Sequence, residues 1–121
     1  MSEKKTLVLG ASDNPSRYSF LAIQLLRSYN HPVVAVGRKV TQVADVTVEK
    51  DKKVFSDIDT VTLYLNPQHQ QEYYDYIFSL HPKRIIFNPG AENDELESLA
   101  QEKGIKTMEA CTLVMLRTNQ Y

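Results

Sequence analysis

Short apolar runs alternate along this chain with segments in which apolar residues recur every three or four positions. The runs are mostly continuous rather than alternating, which is typical of strands buried on both faces of a parallel sheet. They cover residues 6–9, 33–36, 60–65, 84–87 and 105–108. The pattern therefore predicts five strands, with enough chain between most neighbours for a helical crossover.

The segments between the runs carry helical periodicity and residues typical of helix ends. Asn66 suits an N-cap, and Pro67 suits the first helical position, where the backbone N–H has no partner to lose. Gly104 suits the end of a helix. Helices are predicted over residues 16–29, 67–80, 93–103 and 112–118.

Residues 38–59 leave an alternative open. Val46, Thr47 and Val48 fit a short extra strand, and residues 51–57 fit a loop that leads to Ile58. Strands and helices that alternate at these lengths indicate right-handed crossovers. We therefore predict a Rossmann-like α/β fold, with a doubly wound, mostly parallel five-stranded sheet between two helical layers.

Length and composition narrow the class of protein. A chain of 121 residues predicts one domain that spans residues 1–121. Its 14 Lys and Arg residues against 15 Asp and Glu residues argue against nucleic-acid or membrane-surface binding. Cys111 is the only cysteine, so an intrachain disulfide is excluded. No signal peptide or membrane span is evident in the sequence, and we predict a cytoplasmic location.

The first apolar run ends in a segment that suits a phosphate. Gly10, Ala11, Ser12, Asp13 and Asn14 follow it, and a helix start comes next. In doubly wound sheets, ligands bind at the carboxyl ends of the strands, and the N–H groups of a helix start favour anions. Gly10 lets a ligand approach the backbone without meeting a Cβ, although a tight turn with no ligand also explains it.

Three basic residues lie near the predicted strand ends. Arg38 and Lys39 follow the second run, where NAD sites place an acidic residue. A basic pair there favours a ribose that carries a phosphate, as in NADP or coenzyme A. The alternative is that both side chains are ordinary solvated surface charges that bind no ligand. Arg17 lies near the start of the first helix, where a cation opposes the helix dipole unless an anion binds beside it.

Candidate catalytic groups are few. Cys111 follows the last run, and a structural role is favoured over a nucleophilic one because no partner base is evident. Among the histidines, His69 alone is predicted on the carboxyl side of the sheet, since His31 and His81 precede strands. We predict no catalytic residue and no metal site.

Five segments together resemble a known family. Residues 10–12, 17–18, 36–37, 54–58 and 88–91 read Gly-Ala-Ser, Arg-Tyr, Val-Gly, Val-Phe-Ser-Asp-Ile and Asn-Pro-Gly-Ala. In order and spacing they resemble the small single-domain CoA-binding proteins, which are similar to the CoA-binding domain of the succinyl-CoA synthetase alpha subunit. The resemblance covers essentially the whole chain and implies a Rossmann-like fold that binds coenzyme A.

The resemblance also implies which residues contact the coenzyme. The resemblance places the pyrophosphate on the first turn and the helix start that follows it. It places the adenine and the ribose phosphate at the second and third strand ends. The fourth strand end forms the far side of the binding groove. The implied residues are, in that order, Gly10, Ala11, Ser12, Asn14, Arg17 and Tyr18; Gly37, Arg38, Lys39, Asn66 and Pro67; and Asn88, Pro89, Gly90 and Ala91.

The chain departs from the family pattern at three places. Its first turn, residues 10–14, lacks the multiple glycines of the synthetase form, and two later strand ends differ as well. Residues 35–38 read Ala-Val-Gly-Arg, where many members have a Pro-Val-Asn-Pro-like sequence. Residues 87–90 read Phe-Asn-Pro-Gly, where many have an aromatic-x-Gln-x-Gly pattern. The histidine that the synthetase phosphorylates lies on a further domain, so synthetase activity is not implied.

The sequence therefore favours a protein that binds coenzyme A or an acyl-CoA as a non-catalytic carrier, sensor or accessory module. A small NADP-binding oxidoreductase is one alternative, against which the chain shows no Tyr-x-x-x-Lys pair and little room for a substrate domain. A ligand-free module that forms a homodimer is the other.

Overall fold

The computed structural model describes residues 2–121, and these form one seven-stranded sheet flanked by helices. The strands are β1 (Thr6–Ala11), β2 (Val33–Gly37), β3 (Thr41–Val43), β4 (Val46–Glu49), β5 (Thr60–Leu63), β6 (Arg84–Phe87) and β7 (Lys106–Glu109). Their order across the sheet is β3-β4-β2-β1-β5-β6-β7. Only the β3–β4 pair is antiparallel.

The helices follow the predicted segments. They are α1 (Tyr18–Ser28), α2 (Pro67–Gln70), α3 (Tyr74–Ser79), α4 (Asp94–Glu102) and α5 (Thr112–Arg117). The single helix predicted over residues 67–80 is divided, because a 3₁₀ turn over Gln71–Tyr73 separates α2 from α3. The interruption coincides with a group of tyrosines, whose helix propensity is lower than that of unbranched aliphatic residues.

The prediction of five strands is wrong, because the sheet has seven strands, two more than predicted. The optional strand at residues 46–48 exists as β4, which pairs in parallel with β2 and places Val48 opposite Ala35. The second additional strand, β3, folds back on β4 through a tight turn with Ala44 at a positive φ of 54°. Since Val43 is its only buried residue, β3 has too little apolar content to show as a run.

Both faces of the sheet are buried, as the continuous apolar runs predict. On one face, Leu7 and Leu9 of β1 belong to a core cluster with residues of α3 and α4. On the other, Val8 belongs to a cluster with Ile23 of α1 and Leu116 of α5. The observed architecture is therefore Rossmann-like, with helices on both sides of a mostly parallel sheet.

The topology determines where a ligand site is expected. The chain leaves β1 for β2 on one side and later returns to place β5 on the other side of β1. The strand order thus reverses between β1 and β5, and crevices at such reversals bind ligands in open α/β sheets.

The amino-terminal edge of the sheet holds a buried aromatic and basic group. The Tyr121 ring lies 4.9 Å from the His31 ring and 4.4 Å from the Arg84 guanidinium, measured between ring centroids and from the guanidinium carbon. His31 is buried, and its Nδ1 accepts a hydrogen bond from the Lys4 backbone N–H at 3.0 Å. Burial, with a further contribution from the Lys4 charge, lowers the pKa of His31.

None of the helices formed by residues 2–121 has the length and apolar character needed to cross a membrane.

Candidate functional site

A cleft of about 740 Å³ opens at the carboxyl ends of the central strands. Its volume lies within the range of small-molecule sites, which is roughly 300–1,000 Å³. Twelve of the fifteen residues predicted for the site line it: Gly10, Ala11, Ser12, Arg17, Tyr18, Gly37, Arg38, Lys39, Asn66, Pro89, Gly90 and Ala91. Asn14, Pro67 and Asn88 do not. A smaller depression of about 330 Å³ lies beside Asp59 and His81, on the amino-terminal side of β5 and β6.

Two glycines let the strands meet closely at the base of the cleft. Gly10 lies within β1 rather than in the turn after it, and it has a positive φ of 94° at an irregularity in the β1–β2 register. A Cβ there would come within 3.0 Å of the Tyr64 carbonyl carbon. Gly37 is the last residue of β2. Since a Cβ on either glycine would crowd backbone atoms of a neighbouring segment, the structure requires both glycines for packing of the chain itself, whatever ligand is bound.

Asn14 shapes the loop between β1 and α1 instead of lining the cleft. Its Oδ1 accepts hydrogen bonds from the Ser16 N–H at 3.0 Å and from the Ser16 hydroxyl at 2.8 Å. Its own N–H donates to Ser12 Oγ at 3.0 Å. These bonds bring the chain round to Arg17, the N-cap residue of α1, whose side chain makes no capping hydrogen bond. The first backbone N–H groups of α1 therefore lie beside the cleft, and the N-cap side chain does not bond to them.

The end of β2 supplies two exposed cations, and one of them is paired. Lys39 Nζ lies 3.3 Å from Asp13 Oδ2, and the Thr41 hydroxyl donates a 2.8 Å hydrogen bond to the same oxygen. The Thr41 hydrogen bond and the Lys39 ammonium hold the pKa of Asp13 below its ordinary value. Asp13 was not among the predicted contact residues, and no local pattern marks its pairing with residues of the β2–β3 segment.

The third wall comes from the segment after β5. Asn66 acts as the predicted N-cap, since its Oδ1 accepts a hydrogen bond from the His69 N–H at 3.0 Å. Pro67 is the first residue of α2 and lies outside the cleft lining. His69 lines the cleft, as the sequence predicted for it alone among the histidines. Tyr73 also lines it, and Lys52 Nζ lies 5.0 Å from the centre of the Tyr73 ring.

A buried glutamine joins two walls of the cleft. Gln70 is fully buried, and its Nε2 donates 2.8 Å hydrogen bonds to the carbonyl oxygens of Leu65 and Ala91, both cleft residues. Its Oε1 accepts a 2.8 Å hydrogen bond from Asn93 Nδ2. The sequence does not reveal this role, because two of its three partners, Ala91 and Asn93, lie more than twenty positions away in the chain. The side chain fixes the spacing between the segments that follow β5 and β6.

Asn88 is occupied by structural hydrogen bonds. Its Nδ2 donates to Thr62 Oγ1 at 2.6 Å and to the Leu63 carbonyl at 2.9 Å, while its Oδ1 accepts from the Thr112 N–H at 2.9 Å. The side chain is buried and fastens the end of β6 to β5 and to the start of α5. Asn88 therefore stabilises the strand ends that form the cleft and does not itself line it.

Two further side chains with reactive groups, Cys111 and Tyr64, differ in their position relative to the cleft. Cys111 is half-buried before α5 and does not line the cleft. Tyr64 does line it, but burial raises the pKa of its phenol, so this group stays protonated near neutral pH. Within residues 2–121, no cluster of His, Cys, Asp and Glu is arranged to hold a metal ion. The cleft lining provides cations, backbone N–H groups and apolar surface, which suit the binding of an anionic ligand.

Comparison with known proteins finds a matching family model. The family model described as "CoA binding domain" matches residues 4–117. No curated protein sequence matches the chain significantly.

Three solved structures illustrate the structural similarity. One, described as an uncharacterized protein, shares 48% identity with a TM-score of 0.97, and 100% of each chain is covered. A hypothetical protein from Pyrococcus horikoshii OT3 shares 22% identity with a TM-score of 0.87, over 96% of this chain and 83% of that one. Acetyl-coenzyme A synthetase 1 from Ca. Korarchaeum cryptofilum, in complex with phosphate and ADP, shares 18% identity with a TM-score of 0.71. The match covers 88% of this chain and 25% of the synthetase.

Proposed function

This chain belongs to the CoA binding domain family, and we propose that it binds coenzyme A or an acyl-CoA in the cleft at the carboxyl ends of β1, β2 and β5. The observation that carries the proposal is the convergence of Arg17, Arg38 and Lys39 on one cleft beside the uncapped start of α1. Coenzyme A carries a pyrophosphate and a ribose 3′-phosphate, so it presents two anionic groups to a cleft with cations at two places.

Each anionic group of the coenzyme has a candidate partner. The pyrophosphate is assigned to the start of α1 and to Arg17, where backbone N–H groups and a guanidinium both favour phosphate oxygens. The 3′-phosphate is assigned to Arg38 and Lys39 at the end of β2. The adenine is assigned to the wall that follows β5, near Asn66. Tyr18 and the segment 89–91 then border the cleft on its outer sides.

The proposed role is that of a carrier, sensor or accessory binding module in the cytoplasm, with one domain over residues 1–121. Two cleft residues support this role: the Asp13 carboxylate is paired with Lys39, and burial raises the pKa of the Tyr64 phenol. The matched synthetase is a much longer chain, of which this fold corresponds to one quarter. Its activity is therefore not transferred to this protein.

Calorimetric titration tests the proposal. We expect wild-type protein to bind coenzyme A more tightly than 3′-dephospho-coenzyme A, and the double variant Arg38→Ala/Lys39→Ala to lose this preference. Lys83→Ala/Lys106→Ala removes the same charge from exposed positions at the amino-terminal edge and serves as the control. Binding of NADPH alone would instead support the oxidoreductase, and no binding of any of the three ligands would support the ligand-free module.

A further inference from the structure

One carboxylate stands among the cations of the cleft. Asp13 is the only acidic residue that lines it within residues 2–121, and its side chain is 35% exposed. Its Oδ2 receives both the Thr41 hydroxyl at 2.8 Å and the Lys39 ammonium at 3.3 Å. The pair links the loop after β1 to the segment after β2, so it lies between the two proposed phosphate positions.

This contact puts the carboxylate in competition with a ligand. The Lys39 side chain is 68% exposed, so the ammonium remains accessible to a second anion from the solvent side. A ribose phosphate that approaches Lys39 must share the ammonium with Asp13 or displace it, and it meets the negative charge of Asp13 in either case. A ribose with only hydroxyl groups carries no such charge, and it gains and loses little from the same pair.

Resting on the coenzyme A function proposed above, we propose that Asp13 determines how strongly the cleft discriminates between ligands with and without a phosphate on the ribose. In this role Asp13 weakens the contribution of the 3′-phosphate by holding Lys39. The cleft then binds coenzyme A with moderate strength and releases it readily, which suits a carrier or sensor. Asp13 is neither a contact for the phosphate nor a catalytic residue.

The test is titration of Asp13→Asn with coenzyme A and with 3′-dephospho-coenzyme A at low ionic strength. The amide still accepts a hydrogen bond from Thr41, so the loop keeps that contact while the negative charge is lost. We expect the Kd for coenzyme A to fall about fivefold, equivalent to ~1 kcal/mol, which is the upper range for an exposed ion pair. The Kd for 3′-dephospho-coenzyme A should stay within about twofold, because that ligand has no ribose phosphate to compete for Lys39, and its pyrophosphate is assigned to Arg17 and the start of α1.

Two matched variants make the result specific. Asp45→Asn removes a carboxylate that is paired with Arg27 outside the cleft lining, and it should change neither Kd. In a Lys39→Ala background, the effect of Asp13→Asn on coenzyme A should shrink if it acts through competition for the ammonium.

Three results of these titrations would contradict the role proposed for Asp13. A selective loss of coenzyme A affinity in Asp13→Asn would show that the carboxylate positions Lys39 for the phosphate, which overturns the inference. Equal changes for both ligands, or no change, would also overturn it while leaving coenzyme A binding intact. If neither wild type nor Asp13→Asn binds coenzyme A, the proposed function itself fails and this inference fails with it.

Discussion

Gly37 lies so close to Ala11 that a Cβ added to Gly37 would be 2.2 Å from the Ala11 carbonyl oxygen. The contact joins the ends of β1 and β2, the two strands whose loops carry all three cations of the cleft. Since the neighbouring atom belongs to the backbone, no side-chain rotation can relieve an added methyl group. The separation of the two loops thus depends on the absence of a side chain at position 37.

Gly37→Ala is therefore expected to lower the free energy of unfolding by about 2–3 kcal/mol, the upper part of the usual cost of overpacking. Chemical denaturation measures the loss. Gly90→Ala is the control, because Gly90 has a positive φ of 92° but no atom within 4 Å of an added Cβ. Its cost should stay near the roughly 1 kcal/mol of backbone strain. Equal losses in the two variants would contradict the steric explanation.

Gln70→Leu is expected to lower the free energy of unfolding by about 1–3 kcal/mol, because it removes the donor from the buried Ala91 carbonyl oxygen and from the part-buried Leu65 carbonyl oxygen. Ligand affinity should fall as well, since both walls of the cleft lose their common anchor. Denaturation and calorimetry measure the two effects. The neighbouring Gln71 is exposed, and Gln71→Leu should change stability by no more than about 0.5 kcal/mol.

Arg17→Ala is expected to weaken coenzyme A binding by about tenfold or more, as the loss of a charged hydrogen bond costs roughly 1.5–3 kcal/mol. The same factor should apply to 3′-dephospho-coenzyme A, because both ligands carry the pyrophosphate. Arg117→Ala, at the far end of α5, should leave both affinities unchanged. A loss restricted to coenzyme A would place Arg17 at the ribose phosphate instead.

His31 is expected to make the fold less stable in mild acid. Its folded pKa lies below its ordinary value of 6.5 because of burial, with Lys4, the N-terminal ammonium and Arg84 adding to the effect and Glu3 opposing it. The unfolded chain therefore takes up the proton first, and stability present above about pH 6.5 is lost as the pH falls below it. Denaturation at a series of pH values measures the slope.

His31→Asn should flatten this slope, even if it lowers stability at neutral pH. His81→Gln is the control, since His81 is exposed at the same edge of the sheet. A wild-type slope that survives in His31→Asn would contradict the assignment of this acid sensitivity to His31.

The sequence predicts the central fold well because burial on both faces leaves a strong mark. Leu7, Val8 and Leu9 are all fully buried, so β1 appears as an unbroken apolar run. The β3 strand lacks that mark, because Gln42 is exposed and Thr41 is only half-buried. Its existence depends on pairing with β4, and such pairing is a tertiary property rather than a local one.

The candidate site divides in a similar way. The strand ends and their cations can be located from the chain, since the carboxyl ends of parallel strands meet at one edge of the sheet. The partners of those residues cannot, because Asp13 is 26 positions from Lys39 and Gln70 is 21 positions from Ala91. The role of Asn88 as a buried fastening residue also depends on contacts more than twenty positions away.

Local opening of the short β3 strand at the sheet edge affects the cleft. β3 has three residues and lies at the edge of the sheet, paired with β4. Short edge elements open locally at a lower free-energy cost than central strands do. Thr41 begins this strand and donates to Asp13, so each local opening removes a hydrogen bond from that carboxylate. Fraying of β3, observable as fast amide hydrogen exchange, is thereby coupled to the electrostatic field that an incoming anion meets.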